Sequence, residues 1–100
     1  MSNLRLEITG KAYLDIEQIT DYIAQDKPNA AHKMAKLFYN TFIMLQNSPA
    51  LGTTRHDYTN LDVKFWVVKK NYLVVYKVIN DETLRILRVL TSYQDVCSKL

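Results

Sequence analysis

Three runs of strand-forming residues in the last part of the chain constrain its fold more than any other feature. The runs cover residues 63–68, 72–79 and 84–90, are rich in Val, Ile, Leu and aromatic residues, and are separated by short polar breaks at 69–71 and 80–82. Such runs between short polar breaks are typical of consecutive strands joined by tight turns. The sequence therefore predicts an antiparallel meander.

Two stretches before the meander have the spacing of amphipathic helices. The first has apolar residues every three or four positions, at Ala12, Ile16, Ile19 and Ile23. Thr9 is placed to cap its start, and Pro28 disfavours helical geometry before it, so this helix should end near Gln25. Pro28 fits the first turn of a second helix that runs to about Gln46. Its apolar stripe is Ala31, Met34, Phe38, Phe42 and Leu45.

The order of elements predicts an α+β domain. Residues 4–8 alternate apolar and polar like a half-buried strand, and residues 47–61 contain Pro49, Gly52 and Asp57 and are predicted to be an irregular loop. The expected order is β-α-α-β-β-β, with a helical hairpin packed on one face of an antiparallel sheet. A chain of 100 residues is expected to form a single domain over 1–100.

Composition points to a folded intracellular protein. Hydrophobic residues make up 48% and charged residues 23%, which argues against disorder. Cys97 is the only cysteine, so no disulfide framework is possible within the chain, and a reducing cytoplasm is expected. The start has no pattern of a signal peptide, and no apolar run approaches the roughly 20 residues of a membrane helix. The net charge of +3 is compatible with an acidic partner or with nucleic acid.

The sequence offers little for cofactor or metal chemistry. His32 and His56 are 24 positions apart, and Gly10 and Gly52 are isolated, so neither a metal-ligand spacing nor a phosphate-binding loop is present. Both histidines are expected on the surface. We expect no cofactor and no metal.

The sheet is predicted to be apolar on both faces, although two helices cover only one. Strict alternation along 84–90 places Ile86, Arg88 and Leu90 on one face and Arg85, Leu87 and Val89 on the other. An antiparallel sheet in a lone domain normally has one solvated face. The second face is therefore expected to take a partner, unless long side chains and the tail after Thr91 shield it.

Several local stretches resemble the RelE/ParE superfamily of toxins, and most closely its ParE branch. Residues 12–23 are similar to the family pattern Ala-x-x-Asp-Leu-x-x-Ile-x-x-Tyr-Ile, residues 28–31 to the start of its second helix, and residues 45–52 to its Leu-x-x-x-Pro-x-x-Gly loop. Residues 63–68, 71–76 and 84–90 resemble its strands in the same order. The resemblance covers roughly residues 4 to 96.

This resemblance implies a toxin that is neutralised by a cognate antitoxin. ParE-like members are associated with DNA gyrase, whereas RelE-like members cut messenger RNA on the ribosome. The basic residues that assist cleavage in the nuclease branch correspond here to Leu73 and Tyr93. Where ParE-like chains often have His-Gly-Arg-Arg-Asp after the last strand, this chain has Thr91-Ser-Tyr-Gln-Asp95 and keeps only Asp95.

We therefore expect a gyrase inhibitor without catalytic residues and without direct nucleic-acid binding. The residues expected to bind the target are Arg88, Lys64, Arg55 and Tyr93, and those expected to bind the antitoxin are Trp66, Tyr76, Arg85 and Leu87. Two alternatives stay open. One is a ribosome-dependent endonuclease that uses Lys64, Arg88, Tyr76 and Tyr93. The other is an inactive binding member of the family, favoured by the non-basic segment 91–95.

Overall fold

The fold is seen in a computed structural model, which describes residues 4–91 and 96–100. Its strands are β1 (Arg5–Ile8), β2 (Lys64–Val68), β3 (Tyr72–Ile79) and β4 (Thr83–Leu90), and its helices are α1 (Gly10–Ala24), α2 (Pro28–Asn47) and the short α3 (Val96–Lys99). A single 3-10 turn, Pro49–Leu51, follows α2. The predicted α+β class and element order are confirmed, and α3 is an addition that the sequence pattern did not indicate.

The helical hairpin forms where the apolar spacing placed it. Thr9 caps α1, because its hydroxyl accepts a hydrogen bond from the Ala12 N–H at 3.2 Å and donates one to the Leu87 carbonyl at 3.0 Å. Pro28 is the first residue of α2. The apolar stripes of both helices are packed against one face of the sheet. Among the described residues, no helix is both long and apolar enough to span a bilayer.

The sheet is mixed rather than antiparallel throughout. Its strand order is β1-β4-β3-β2, and the meander β2-β3-β4 is antiparallel as predicted. The first strand differs, because Arg5–Ile8 pairs in parallel with residues 83–86 of β4. Residues 9–82, which include the helical hairpin, connect these two strands, and a long connection of this kind allows parallel pairing.

A β-bulge interrupts the alternation in β4. Val75 pairs with Arg88 and Tyr76 pairs with Ile86, so Leu87 is an extra residue without a partner across the strand pair. As a result, Ile86 and Val89 both pack on the helix side, while Leu87 packs on the other side. The prediction that Leu87 and Val89 share a face, and likewise Ile86 and Leu90, is therefore wrong.

The chain itself covers part of the second face of the sheet. A second apolar cluster is built from Phe65, Leu73, Val75 and Leu90 of the sheet with Val63 and Val96, and Tyr58 and Leu100 pack against it. The loop is fastened along the outer edge of β2, because Thr53 and Phe65 exchange backbone hydrogen bonds of 3.0 and 2.8 Å. The loop and α3 thus cover the β2 side of the second face.

Tyr76 connects the sheet to the loop from within the core. The side chain is fully buried; its hydroxyl donates to the Pro49 carbonyl at 2.7 Å and accepts from the Gly52 N–H at 2.8 Å. Burial raises the pKa of the hydroxyl, and the hydrogen bond from Gly52 opposes this rise in part. A Cβ at Gly52 would overlap the Tyr76 ring, whereas a Cβ at Gly10 would meet nothing within 4 Å.

We predict that Gly52→Ala lowers the free energy of unfolding by about 1–3 kcal/mol, because the added methyl must displace the Tyr76 ring or break its hydrogen bonds. Urea denaturation followed by tryptophan fluorescence measures the change. Gly10→Ala is the matched control and should be neutral. Equal midpoints for the two variants would contradict the packing described for Tyr76.

Candidate functional site

An ion pair between α1 and β4 lies at the centre of the candidate site. The Arg88 guanidinium donates from Nε to Oδ2 of Asp15 and from Nη2 to Oδ1, both at 2.8 Å. Asp15 Oδ2 also accepts from the Val89 N–H at 2.9 Å. The remaining Nη1 donates to the Lys99 carbonyl at 2.8 Å. The hydrogen bonds to Asp15 raise the pKa of Arg88, so the guanidinium is charged at every pH at which the protein is folded.

A groove of about 450 Å³ opens beside this ion pair. Its walls come from α1, the start of β3, the end of β4 and α3. Tyr22 is its most exposed aromatic side chain, at 77% exposure, and Gln18, Asn71 and Thr91 provide polar atoms. A groove with aromatic and polar walls, lined also by Lys99 and by the ion-paired Arg88, is suited to hold part of another molecule.

Arg88 is held more tightly than the sequence indicated. Its side chain is only 21% exposed and that of Asp15 only 10%, so the guanidinium is largely withdrawn from solvent. Arg88 lies just beyond the part of β4 that pairs with β1, which ends at Ile86, and its side chain contacts Asp15 of α1 there. Its proposed role in target binding stays a prediction.

The four residues predicted to bind an antitoxin do not share a surface. Tyr76 is completely buried with both hydroxyl bonds made inside the protein, so a contact between its side chain and a partner is ruled out in this structure. Trp66 is half-buried and packs on the helix side. Arg85 and Leu87 lie on the opposite, second face of the sheet.

The part of the second face that the chain leaves uncovered carries a row of charges. Lys77 of β3, Arg85 of β4 and Glu7 of β1 are neighbours across three strands. Arg85 binds Glu7 through Nε at 2.5 Å, with both side chains more than a third exposed. Arg5 is on the same face, one step of alternation from Glu7. We call Arg5, Glu7, Lys77, Arg85 and Leu87 the open strip; it has three cations and one anion.

The residues predicted to bind a target are dispersed. Lys64 begins β2 and lines an apolar cavity of about 400 Å³ at the end of the sheet opposite the groove. Arg55 is in the exposed loop, where it pairs with Asp57 at 2.7 Å and stacks over the Tyr58 ring at 4.2 Å. The hydrogen bond from Arg55 lowers the pKa of Asp57. Neither residue reaches the groove that contains Arg88.

The two positions that correspond to the basic residues of the nuclease branch do not provide cations either. Leu73 is buried in the second cluster, and Tyr93 and Asp95 lie outside the described residues. His32 and His56 are both exposed, as expected, on the outer side of α2 and in the loop. Among residues 4–91 and 96–100, no cluster of three or more His, Cys, Asp or Glu is placed to hold a metal ion.

Three residues of the site escaped sequence reasoning. Asp15 looked like one of several polar positions of α1, although its spacing from Ala12 and Ile19 places it at the edge of the apolar stripe. Lys77 lies in a run of apolar residues and gave no signal of its own. Glu7 could be placed opposite Arg85 only once the parallel pairing of β1 with β4 was known.

The comparisons with known proteins agree with this architecture. A family model described as the ParE toxin of type II toxin-antitoxin system, parDE, matches residues 6–96. The chain therefore belongs to the ParE toxin family. A solved structure described as the chromosomal ParDE TA system from P. aeruginosa has the same fold, with a TM-score of 0.71 and 22% identity over 86% of this chain and 92% of that chain. No curated protein sequence matches.

We predict that Arg88→Ala lowers the free energy of unfolding by roughly 2–4 kcal/mol, because it leaves the Asp15 carboxylate buried without its cation. Arg85→Ala is the matched control. Its exposed pair with Glu7 should contribute only about 0–1 kcal/mol. Denaturant midpoints of both variants decide the question. Similar small losses for the two variants would show that the buried ion pair contributes little to stability.

Proposed function

We propose that this protein is the toxin of a type II toxin–antitoxin pair, that it inhibits DNA gyrase, and that a cognate antitoxin neutralises it in the cytoplasm. The observation that carries the proposal is the match of residues 6–96 to the ParE toxin family. The gyrase target follows from the resemblance to that family. The lone Cys97 is consistent with a reducing compartment.

The open strip supports the proposed antitoxin contact. It is the part of the second face that neither the loop nor α3 covers, and it borders the apolar cluster through Leu87. Three cations against one anion favour a partner with acidic side chains. Leu87 is the one apolar member of the strip, so a partner segment that brings acidic residues for the cations and an apolar residue for Leu87 would fit here.

We predict that Lys77→Glu with Arg85→Glu weakens binding of the antitoxin encoded by the adjoining gene by about tenfold or more, because like charges then face each other across the contact. Isothermal titration calorimetry at two salt concentrations measures the affinity and its dependence on salt. The double variant should also lose most of the salt dependence.

The matched control for this prediction is Lys11→Glu with Lys27→Glu. Both lysines are exposed on the helical hairpin, and the pair changes the net charge by the same amount. The control should bind like the wild type. If both double variants lose affinity equally, overall charge and not the open strip governs binding.

In this proposal the toxin inhibits gyrase by binding to it and catalyses no reaction itself. Leu73 supplies no charge to a phosphate, and Arg88 is neutralised by Asp15. An endonuclease that works at neutral pH without a metal needs a base, an acid and cations around the scissile phosphate. Of the four residues considered for that alternative, Tyr76 is fully buried, and Lys64, its partner across β2 and β3, lines a different cavity from Arg88.

We predict that the purified chain inhibits supercoiling of relaxed plasmid by purified gyrase and leaves ribosome-bound message intact. Agarose gels measure the first activity and primer extension in a translating extract the second. The chain saturated with its antitoxin is the control and should restore supercoiling. Normal supercoiling together with toxin-dependent cuts in the message would replace the gyrase proposal by the endonuclease.

A further inference from the structure

Arg88 has hydrogen-bond donors beyond those that its ion pair uses. A guanidinium carries five N–H groups. In the part of the chain that the structure describes, Arg88 uses three of them, two for the Asp15 carboxylate and one for the Lys99 carbonyl. One N–H of Nη1 and one of Nη2 remain, and the side chain that carries them lines the groove. An oxyanion in the groove would thus find two neighbouring donors on one side chain.

The charge around the groove is positive, although Arg88 itself is balanced by Asp15. Among the described residues that line the groove, Asp15 is the one acid, and Arg88 pairs with it. Lys99 also lines the groove, and Lys69 lies in the turn two positions before Asn71, another lining residue. Both lysines are exposed. The donors of the wall and the cations beside it together favour a negatively charged ligand.

The remaining walls of the groove are apolar and aromatic. Ile19 of α1 and Val89 and Leu90 of β4 line it together with the highly exposed Tyr22. Its volume of about 450 Å³ is sufficient for a few side chains. Such walls suit a peptide segment that presents one acidic side chain next to an apolar one. They suit a nucleic-acid strand less well, because a strand is bound by cations spaced along a continuous path.

We infer that the groove binds an acidic segment of the target, whose carboxylate accepts hydrogen bonds from the two remaining N–H groups of Arg88. This inference rests on the proposed function and specifies the chemistry by which the toxin recognises gyrase. Lys69 and Lys99 attract the segment, and Tyr22 packs against a residue beside its acid. Asp15 contributes to this contact indirectly, because it fixes the guanidinium in one orientation before the partner binds.

The groove is separate from the open strip that is proposed to bind the antitoxin. It lies on the helix side of the sheet, at the end of β4, whereas Arg85 of the open strip is on the second face. Arg85 and Leu90 are also roughly 15 Å apart along the strand, at about 3.3 Å per residue. Different substitutions can therefore disrupt the two contacts independently.

Binding of the full chain to purified gyrase, measured by surface plasmon resonance, tests the inference. Gln18→Glu with Asn71→Asp, the groove variant, places two carboxylates at exposed positions of the groove without changing side-chain size. It should raise the dissociation constant for gyrase by at least about tenfold and leave that for the antitoxin unchanged. Asn40→Asp with Asn60→Asp is the matched control, because both residues are exposed and neither lines the groove. The control should bind both partners like the wild type.

A second variant tests the cations without adding an acid. Lys69 and Lys70 both have positive φ angles, 51° and 66°, and an Asn-Gly pair adopts such a turn at lower cost. Lys69→Asn with Lys70→Gly should therefore keep or raise the denaturation midpoint while it weakens gyrase binding by about threefold or more. A loss of binding in this variant thus cannot be attributed to a less stable fold.

The same measurements separate the inference from its rivals. Equal affinity of the wild type and the groove variant for gyrase overturns this inference alone, whereas a wild type that does not bind gyrase overturns the proposed function with it. Loss of antitoxin binding in the groove variant would assign the groove to the antitoxin, and loss of binding to a short DNA duplex would assign it to nucleic acid. Either result overturns the inference. Circular dichroism verifies that every variant is folded.

Discussion

A four-stranded sheet that is apolar on both faces needs two covers, and this requirement organises the whole molecule. The helical hairpin covers one face with its continuous apolar stripes. The second cover is assembled from separate pieces, the loop before β2 and the short helix after β4, which meet over Phe65, Val75 and Leu90. Because these pieces reach only part of the face, the open strip is left to solvent or to a partner. The proposed antitoxin contact follows from this shortage of covering chain.

The interface between the helices and the sheet contains polar as well as apolar contacts. The carboxylate of Asp15 accepts three hydrogen bonds from β4, one from the backbone of Val89 and two from Arg88. Such an arrangement adds directional contacts at a position where apolar packing alone would allow the hairpin to slide. The same guanidinium reaches the backbone of α3, so the hairpin, the sheet and the second cover meet at one side chain. The groove beside it is framed by these same elements.

Regular patterns in the sequence were sufficient to predict the two long helices, the four strands and their order, since apolar spacing and proline positions act locally. They were also sufficient to predict Thr9 as a cap. Contacts that depend on distant backbone could not be predicted in this way. The hydroxyl of Tyr76 is satisfied by Pro49 and Gly52, which makes a tyrosine in an apolar strand a core residue. Asp15 resembled the solvated polar positions of α1, and the pairing of Glu7 with Arg85 depends on a parallel neighbour.

In a regular strand, the face on which a residue packs is fixed by the number of residues that precede it. The bulge in β4 removes this link between residue count and face. One residue, Leu87, has no partner across the strand pair, yet Val89 and Leu90 beyond it keep the faces on which the core needs them. A relative that lacked this single residue would keep the register of β4 with β3 on both sides of the gap. It would lose the local bend and the added twist that a bulge gives to a strand. A one-codon deletion here is thus a route by which descendants of one ancestral gene could share a sheet and a core while differing in the twist of β4 and in the direction in which its last residues leave the sheet.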